Sequence, residues 1–579
     1  MKKIILSLII LLAAVGMSAQ EAPAPKWVSK AQKSVYSVLT YNDKNELLHE
    51  GTGFAVTDNG ILISDYDTFK GAYSGVAVDA GGTNHNVERI LGANDLYGLV
   101  RFKIAQAKTS PLTLAGSQSA QAGSTVYALG YTKGKVNVVQ KSTVAKKEVV
   151  DSLYNYFSMN SAFDGKQQGK GLFTTTGEFL GIIMSTVNGK SGAIDGKMGK
   201  ELTLAALQNR SQSLAYNNIF IKKGIPETAE EALIYLYMKS RTAGNDEYMD
   251  LVNLFITTFP DNAQGYLRRA TPLIDLHRFD EADQDLQTYL SKSQDKNQAH
   301  ADIAKTIYSK LVYMPEPAYD KWTYAVALEH VDKAIEGMRP ESEAEKNEEM
   351  KVLKTNTLYE TILLKAQMLS SSGDHRAAIS IYDEINTSPY KAPATFLASS
   401  LEHGAAGDST DIQIALLDSA IAQFPDSLPL EAAGYVMSRA KLYEQSGQFR
   451  KAVSDYNLFE QLNNNNVRHT FYYDRSQVEL RGKMYQQALN DINKAVEIAP
   501  TVPLYWVEKS AMHLRVNQID ECIAAAEKCI SLSEKYPDAY RILGYAQIQK
   551  GDKQSARKNL EKAKELGDES AQEIMDKYL

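Results

Sequence analysis

The chain has 579 residues, of which 44% are hydrophobic and 23% are charged. That composition is typical of globular protein and excludes a largely disordered chain, and the length predicts three or four ordinary domains. The formal net charge of -7 provides no basic surface of the kind that binds nucleic acid, so no nucleic-acid partner is predicted.

The amino terminus has the pattern of a secretory signal peptide. Lys2 and Lys3 precede an apolar run at 4–15, and small residues follow that run. A charged start, a short apolar segment and a small-residue cleavage point define such peptides. We therefore expect residues 1–19 to be removed and the mature protein, which begins near Gln20, to be periplasmic or secreted. A bilayer-spanning helix needs about 20 apolar residues, so no integral membrane segment is expected after cleavage.

From about residue 30 to residue 213 the sequence consists of short alternating or β-branched runs separated by turn residues. The predicted strands cover 35–41, 53–56, 61–64, 75–78, 99–104, 126–129, 136–139 and 179–184. Many short strands with frequent Asn, Asp and Gly turns predict an all-β barrel or sandwich. Helical periodicity is absent until 201–209, where a closing helix is predicted.

Several segments of this block follow the order found in one family of proteases. They are 51–56, 60–67, 95–104, 123–130, 160–163, 169–173 and 177–182. The Gly-Thr-Gly-Phe at 51–54 resembles the family's Gly-Ser-Gly-Phe strand, and 95–104 resembles the strand that opens with the catalytic Asp. The block is thus similar to the HtrA-type, trypsin-like serine proteases. This resemblance implies an all-β double barrel over residues 30–213, with the catalytic residues in the crevice between the barrels.

The positions that match the family's catalytic triad carry other residues. Asp67 stands where the family has His, Gly98 where it has Asp, and Gln168 where it has the nucleophilic Ser. A triad needs an imidazole to accept the serine proton and a carboxylate to orient that imidazole. The loop at 166–170 reads Lys-Gln-Gln-Gly-Lys in place of Gly-Asn-Ser-Gly-Gly. The resemblance therefore implies a degenerate, non-catalytic protease domain.

An active serine endopeptidase with a rearranged catalytic site is the alternative hypothesis. The block contains two histidines, His49 and His85, and neither occupies the family's His position. Asp95 and Ser161 are the nearest replacements for the triad acid and the nucleophile. The use of either would shift the register and break the match of the flanking segments to the family.

A repeat with a period of 34 residues runs through the carboxyl-terminal part of the chain. Tyr472, Trp506 and Tyr540 are spaced by 34 residues, and other residues recur with them at the same interval. These are Ser476, Ser510 and Gly544; Ala488, Cys522 and Ala556; Ile492, Ala526 and Leu560; and Ala495, Cys529 and Ala563. The pattern resembles the tetratricopeptide repeat, in which small residues let paired helices approach and larger residues fill the space between repeats.

The second resemblance implies an all-α solenoid of about eight helix pairs over residues 226–579. Its clearest repeats are 433–464, 469–502, 503–536 and 537–570. Cys522 and Cys529 are about 10 Å apart on one predicted helix, which is beyond the reach of a disulfide, so we expect buried, free thiols. No cysteine and histidine group has metal-ligand spacing, and neither a metal nor a cofactor is predicted.

In this repeat family the residues one and five positions after the aromatic face a concave groove. Here they are Met437, Lys441, Tyr473, Gln477, Val507, Ala511, Arg541 and Tyr545. This mixture of aromatic, apolar and isolated basic groups suits a peptide or a partner helix. It lacks the Lys/Asn pattern by which some members bind a terminal carboxylate. The sequence does not indicate an oligomeric state.

The expected fold class is therefore multidomain, an all-β trypsin-like double barrel followed by an all-α tetratricopeptide-repeat solenoid. Open helical arrays favour binding over catalysis because stacked pairs expose a long concave surface. We expect an exported, non-catalytic scaffold with a protein or peptide partner on its repeats and an extended peptide in the pseudoprotease cleft. In a third hypothesis the β domain is purely a structural cap on the exposed end of the solenoid.

Overall fold

The computed structural model describes residues 25–105, 108–132, 135–160, 163, 168–184, 191–204 and 210–579. The chain divides into two compact units, one that ends at Gln294 and one that begins at Asp295. The expected signal peptide, residues 1–19, lies outside the described residues. Among the helices in the described ranges, none is long and apolar enough to cross a membrane.

Two antiparallel β-barrels form most of the first unit. The first barrel contains β1 Val35–Tyr41, β2 Leu47–Ala55, β3 Ile61–Asp65, β4 Ser74–Val78, β5 Asn84–Asn94 and β6 Leu99–Ile104. The second contains β7 Thr125–Thr132, β8 Lys135–Val150, β9 Tyr154–Met159, β10 Gly171–Thr174, β11 Phe179–Ile183 and β12 Gly192–Asp195. The barrels close in the orders β1-β2-β3-β6-β5-β4 and β10-β11-β12-β9-β8-β7. The predicted double barrel is confirmed.

Aromatic side chains from both barrels pack against each other where the barrels meet. The ring of Phe54 on β2 stacks on the ring of Phe179 on β11, with 5.0 Å between the centroids. Gly171 on β10 permits this approach, because a Cβ there would lie 2.7 Å from atoms of Phe54 and of Phe173. Large aromatic groups dominate the energetics of such cores, so this cluster holds the barrels together.

Three short helices flank the barrels, namely α1 Val28–Ala31, α2 Gly196–Glu201 and α3 Arg210–Asn217. The helix predicted at 201–209 is wrong in its first part, because Leu202 leaves α2 in an extended conformation. The carbonyl of Leu202 packs against Gly92 of the first barrel, where a Cβ would approach it to 2.7 Å. This tertiary contact takes precedence over the local helical pattern. Residues 205–209 lie outside the described ranges.

Helices make up the rest of the chain. Those in the first unit are α4 Ala229–Lys239, α5 Asn245–Thr258, α6 Gln264–Asp275 and α7 Phe279–Lys292. Those in the second unit are α8 Lys296–Tyr313, α9 Tyr324–Ala344, α10 Glu348–Ser372, α11 His375–Thr387, α12 Pro393–Ala405, α13 Thr410–Ile421, α14 Ala433–Gln445, α15 Phe449–Leu462, α16 His469–Arg481, α17 Tyr485–Ile498, α18 Pro503–Arg515, α19 Ile519–Leu532, α20 Pro537–Lys550, α21 Lys553–Glu565 and α22 Ser570–Tyr578. Helices α4 to α21 make nine successive pairs in this described stretch, and α22 follows them. The predicted helical solenoid is confirmed.

Small side chains let the two helices of a repeat pack closely, as the repeat pattern predicts. Ala488, Cys522 and Ala556 are fully buried on second helices. Gly544 on α20 faces Leu560 on α21, and a Cβ at this glycine would lie 2.7 Å from the leucine side chain. Both cysteines are buried and free, in agreement with the prediction from their spacing.

The first barrel and the first helix pair share one hydrophobic core. From the barrel, the side chains of Leu62, Ile90 and Phe102 are buried in this core. Leu236 of α4 and Phe255 of α5 are buried in the same cluster. Burial of one such side chain is worth about 1.5–3 kcal/mol, so the barrel and the helix pair stabilise each other.

Hydrogen bonds reinforce this junction. The segment after α3 forms a parallel bridge between Lys223 and Ile90 of β5, and the Ile90 N–H donates to the Lys222 carbonyl at 2.8 Å. Arg89 on β5 donates two hydrogen bonds to Asp250 on α5, at 2.6 and 3.0 Å. The Arg89 guanidinium holds the pKa of the Asp250 carboxyl below its usual range. The first helix pair is thereby fixed to the barrel.

We predict that Leu236→Ala destabilises the first unit by about 2–5 kcal/mol, because it leaves a cavity in the shared core. Ile234→Ala on the same helix is the matched control, since this side chain is 47% exposed and its loss should change stability by less than about 0.5 kcal/mol. Urea unfolding followed by circular dichroism measures both effects. Equal effects of the two substitutions would contradict a shared core.

Candidate functional site

The crevice between the barrels brings together two of the three positions that match the protease triad. Asp67 lies in the 3-10 turn Tyr66–Thr68 after β3, Gly98 precedes β6, and Gln168 precedes β10. The Gln168 amide donates through Nε2 to Oδ2 of Asp67 at 3.2 Å. This bond joins residues that are 101 positions apart, one from each barrel.

The third position, Gly98, lies beside the buried carboxyl of Asp65. A Cβ at Gly98 would lie 3.7 Å from Oδ1 of Asp65, and a Cβ at Gly169 would lie 3.2 Å from the Asp65 Cβ. Both glycines have positive φ angles, which other residues rarely adopt. The Tyr66 N–H donates to the Gly98 carbonyl at 3.0 Å and holds this loop against the end of β3. The Asp65 carboxyl therefore lies where a side chain at position 98 would project.

Asp65 has the most perturbed carboxyl of this crevice. The residue is 8% exposed, and burial raises its pKa to about 7, with the charge of Asp67 as the second cause. Backbone groups of Thr68 and Asp67 act in the opposite direction. Below pH 7 the carboxyl is therefore largely protonated. The sequence analysis did not predict a role for Asp65. The signal that could have found it is a carboxyl two residues before Asp67, the assigned His position, combined with a glycine at the assigned Asp position.

The two histidines of the β block form no hydrogen bond with this cluster in the described part of the chain. His85 Nε2 lies 3.0 Å from Oδ2 of Asp79 near the turn between β4 and β5, and His49 lies on β2. Asp95 is in the turn before β6, where its carbonyl accepts the N–H of Gly98 at 3.4 Å. Ser161 lies outside the described residues.

The crevice contains several hydrogen-bonding groups. The carboxyls of Asp65 and Asp67 and the Gln168 amide can accept or donate hydrogen bonds. Residues 166 and 167, the first two of the loop at 166–170, lie outside the described residues. In the ranges that the structure describes, no three His, Cys, Asp or Glu side chains are grouped so that they could hold a metal ion.

The predicted groove residues lie on the first helices of four successive repeats. They are Met437 and Lys441 on α14, Tyr473 and Gln477 on α16, Val507 and Ala511 on α18, and Arg541 and Tyr545 on α20. Lys441 is exposed, and Met437, Tyr473, Gln477 and Ala511 are half-buried. These five side chains are at least partly accessible, although Nε2 of Gln477 is buried.

The other three predicted groove residues are engaged within the second unit. Val507 is 4% exposed and packs in a cluster with Ile542. Arg541 donates to Asp568 at 2.5 Å, and the ring of Tyr545 lies 5.7 Å from that of Tyr578. The structure thus gives each of these three residues a role in holding the helices together.

Arginine–aspartate pairs join the two helices of three repeats, and none of these pairs was predicted. They are Arg269–Asp285, Arg439–Asp455 and Arg475–Asp491. In each pair two hydrogen bonds of 2.5–2.9 Å connect residues 16 positions apart. Such bidentate pairs are the strong form of ionic hydrogen bond, and the aspartates are buried. The constant interval of 16 residues between the arginine and the aspartate was the sequence signal that could have predicted these pairs.

Comparison with known proteins identifies both parts of the chain. Residues 51–182 match the family model of the trypsin-like peptidase domain, and residues 537–566 match that of the tetratricopeptide repeat. The chain thus combines a trypsin-like peptidase domain with carboxyl-terminal tetratricopeptide repeats.

Two curated proteins are similar to parts of the chain. One is the small glutamine-rich tetratricopeptide repeat-containing protein 2 of Saccharomyces cerevisiae, 27% identical over 96 residues, which are 17% of this chain and 28% of that protein. The other is the anti-sigma-I factor RsgI9 of Acetivibrio thermocellus, 27% identical over 152 residues, which are 26% of this chain and 21% of that protein. The chain spans less than a third of the length of either relative.

We predict that Asp65→Asn removes a pH dependence of stability. The folded pKa of about 7 exceeds the ordinary value of 3.8, so the stabilisation from the bound proton is fully present below pH 3.8 and is lost as the pH rises to 7. The loss amounts to at most about 4 kcal/mol. The asparagine variant should therefore match the wild type near pH 4 and exceed its stability at pH 8.

Urea unfolding midpoints between pH 4 and pH 8 measure this difference. Asp58→Asn, at an exposed position of the same domain, is the control and should leave the wild-type pH profile unchanged. Parallel pH profiles of the wild type and the Asp65→Asn variant would contradict the raised pKa.

Proposed function

We propose that this chain is an exported, non-catalytic scaffold that binds a protein or peptide partner through its repeats and holds an extended peptide in the pseudoprotease cleft. One observation carries the catalytic part of the proposal. Where the protease family has its base and its nucleophile, Asp67 and Gln168 are hydrogen-bonded to each other at 3.2 Å. A carboxamide is not a nucleophile, and this pair offers no imidazole to accept a proton.

The expected loss of activity is large. Removal of one triad member typically lowers the rate by a factor of about 10⁴ to 10⁶. All three assigned positions lack the triad residue, and Gly98 has no side chain that could orient a base. The remaining carboxyls and the Gln168 amide suit hydrogen bonds to a bound polypeptide, which supports a binding role for the cleft.

The repeats support protein binding. A tetratricopeptide match at 537–566 and the long run of helix pairs indicate an array whose first helices expose a continuous surface. Lys441 and Tyr473 supply a basic and an aromatic group on that surface. The name of the yeast relative refers to the same repeats, which supports the assignment of repeats in this chain.

Two other functions each have one observation in their favour. The 3.0 Å contact between His85 and Asp79 is an imidazole–carboxylate pair of the kind that an active endopeptidase with a rearranged site would need. The core shared by the first barrel and helices α4 and α5 favours a structural role, in which the β domain covers the first helix pair. The scaffold proposal is preferred because it uses both the cleft and the repeats.

We expect the purified mature protein to hydrolyse neither fluorogenic peptides nor casein, and not to react with a fluorophosphonate probe. The reason is the absence of a base and a nucleophile at the assigned positions. Gln168→Ala and His85→Ala variants are the matched controls, and an active trypsin-like protease confirms that the assay works. Turnover or labelling by the wild type that either substitution abolishes would establish catalysis and remove the proposal.

Export is tested at the amino terminus. Mass spectrometry of the protein from its native envelope is expected to give a first residue near Gln20, because the small residues before it fit a signal-peptide cleavage point. Ile9→Arg interrupts the apolar run and should leave an uncleaved chain in the cytoplasm. Recovery of wild-type protein that still begins at Met1 would contradict export. Measuring the protein in the periplasm and in the medium distinguishes a periplasmic from a secreted protein.

A further inference from the structure

Two histidine rings face each other between the first two helices of the second unit. His300 lies on α8 and His330 on α9, and their Nδ1 atoms are 2.9 Å apart. The ring centroids are 4.9 Å apart, with an angle of 49° between the ring planes. Both side chains are half-buried, so each ring remains partly accessible to solvent.

The short distance between the Nδ1 atoms requires that at least one of them is unprotonated. A neutral imidazole carries one proton, on either Nδ1 or Nε2. With its proton on Nδ1, one ring donates a hydrogen bond to the other. With both protons on Nε2, each Nδ1 has a free lone pair, and the unprotonated nitrogen is the one that binds metals. Rotation about the soft χ2 torsion then directs both lone pairs at one point beside the line between the nitrogens.

The separation of the two nitrogen atoms matches that of neighbouring ligands on a metal ion. Metal–imidazole bonds are about 2.0–2.1 Å long, so two of them at about 90° place their nitrogen atoms about 2.9 Å apart. The tetrahedral angle of zinc sites would need about 3.3 Å. The distance of 2.9 Å between the Nδ1 atoms therefore fits the square or tetragonal geometry of Cu²⁺ and Ni²⁺ better than that of Zn²⁺.

Close packing on both sides of the histidine pair fixes the distance between α8 and α9. On one side, Ala304 of α8 and Ala327 of α9 are fully buried. On the other side, the Asn297 side chain lies against Gly337 and leaves no room for a Cβ there. The Nδ2 atom of Asn297 also donates to Glu341 at 2.8 Å. Because the helices are held in this way, the two rings stay within chelating distance before any ion binds, which lowers the cost of binding.

One carboxylate lies beside the two rings. Glu329 is exposed and pairs with Lys333 at 2.6 Å. Lys333 lowers the pKa of the Glu329 carboxyl, and the charges of His330 and His300 act in the same direction. This carboxylate is therefore within electrostatic reach of both rings. It supplies negative charge for a cation held by the rings, although Lys333 offsets part of that charge.

We propose that His300 and His330 bind a divalent transition-metal ion, Cu²⁺ foremost, through their Nδ1 atoms and thereby join α8 to α9. Among the first-row divalent ions, Cu²⁺ forms the strongest complexes with nitrogen ligands. In the described part of the chain no third His, Cys, Asp or Glu completes a group of metal ligands, so water fills the remaining positions and the ion exchanges with solvent. Binding at this site requires neither a protein partner nor the cleft between the barrels.

Spacing along the chain could not identify this pair. The two histidines are 30 positions apart on different helices, and they follow none of the short spacings that are typical of metal sites. They become neighbours only when α8 packs on α9. No metal was predicted from the sequence for this reason.

Calorimetric titration of the metal-free mature protein with Cu²⁺ tests the site. The wild type is expected to bind one ion per chain at this position, and binding is expected to weaken at about pH 5, where protons compete for the imidazoles. Electron paramagnetic resonance of the Cu²⁺ protein is expected to show coupling to two imidazole nitrogens. Ni²⁺ should bind more weakly than Cu²⁺, and Mg²⁺, which prefers oxygen ligands, should not bind.

The variants His300→Gln and His330→Gln each remove one ring and keep a polar side chain. Each is expected to weaken Cu²⁺ binding at least about tenfold and to remove the coupling to one of the two nitrogens. His49→Gln, at an exposed position of the first barrel, is the matched control and should bind Cu²⁺ like the wild type. Unfolding midpoints measured without metal verify that all four proteins are folded.

Cu²⁺ binding that both His300→Gln and His330→Gln retain at full strength would be adventitious binding only, elsewhere on the surface, and would overturn the inference. A wild-type spectrum without coupling to two imidazole nitrogens would overturn it as well. Neither outcome affects the proposed scaffold function, because the repeats and the cleft do not depend on this ion.

Discussion

The apolar core that the first barrel shares with helices α4 and α5 is the constraint on which the amino-terminal unit depends. Pairing of Ile90 with Lys223 and the two bonds from Arg89 to Asp250 leave no free linker between barrel and helices. We therefore expect the barrel and its first helix pair to unfold as one unit. The compact unit that ends at Gln294 accordingly includes helices that the sequence pattern assigns to the repeat region.

The crevice between the barrels contains carboxyls in an arrangement that differs from a triad. Gly98, which the sequence analysis assigns to the position of the protease acid, has no side chain, and a Cβ there would lie 3.7 Å from Oδ1 of Asp65. Burial keeps Asp65 protonated up to about pH 7, so at lower pH it is a neutral hydrogen-bonding group. Such a group can donate a hydrogen bond, and among the described residues no histidine is hydrogen-bonded to it, as proton transfer in a triad would need.

The sequence predicts the elements whose own residues determine their conformation. Strand β1 was predicted at 35–41 and spans those residues, because buried β-branched and aromatic side chains follow one another there. The strand predicted at 136–139 proves to be part of β8, which continues to Val150 and includes the exposed residues Lys141 and Lys146. Strand β5 was not predicted because it contains many polar residues. One of them, Arg89, finds its partner, Asp250, only in the folded protein. Asp65 was missed for a related reason: its burial depends on Gly169 of the other barrel.

The arginine–aspartate pairs are present in some repeats and absent from others. Arg475 and Asp491 pair inside their repeat, and removal of one partner from a buried pair is strongly destabilising. One period later the same positions hold Lys509 and Ala525, so the internal pair ends at that repeat. In this repeat burial raises the pKa of the Glu508 carboxyl, and the Gln477 side chain acts in the opposite direction. A paired charge is thus explained by the fold that it stabilises, and the repeat without the pair depends on apolar packing such as that of Val507 with Ile542.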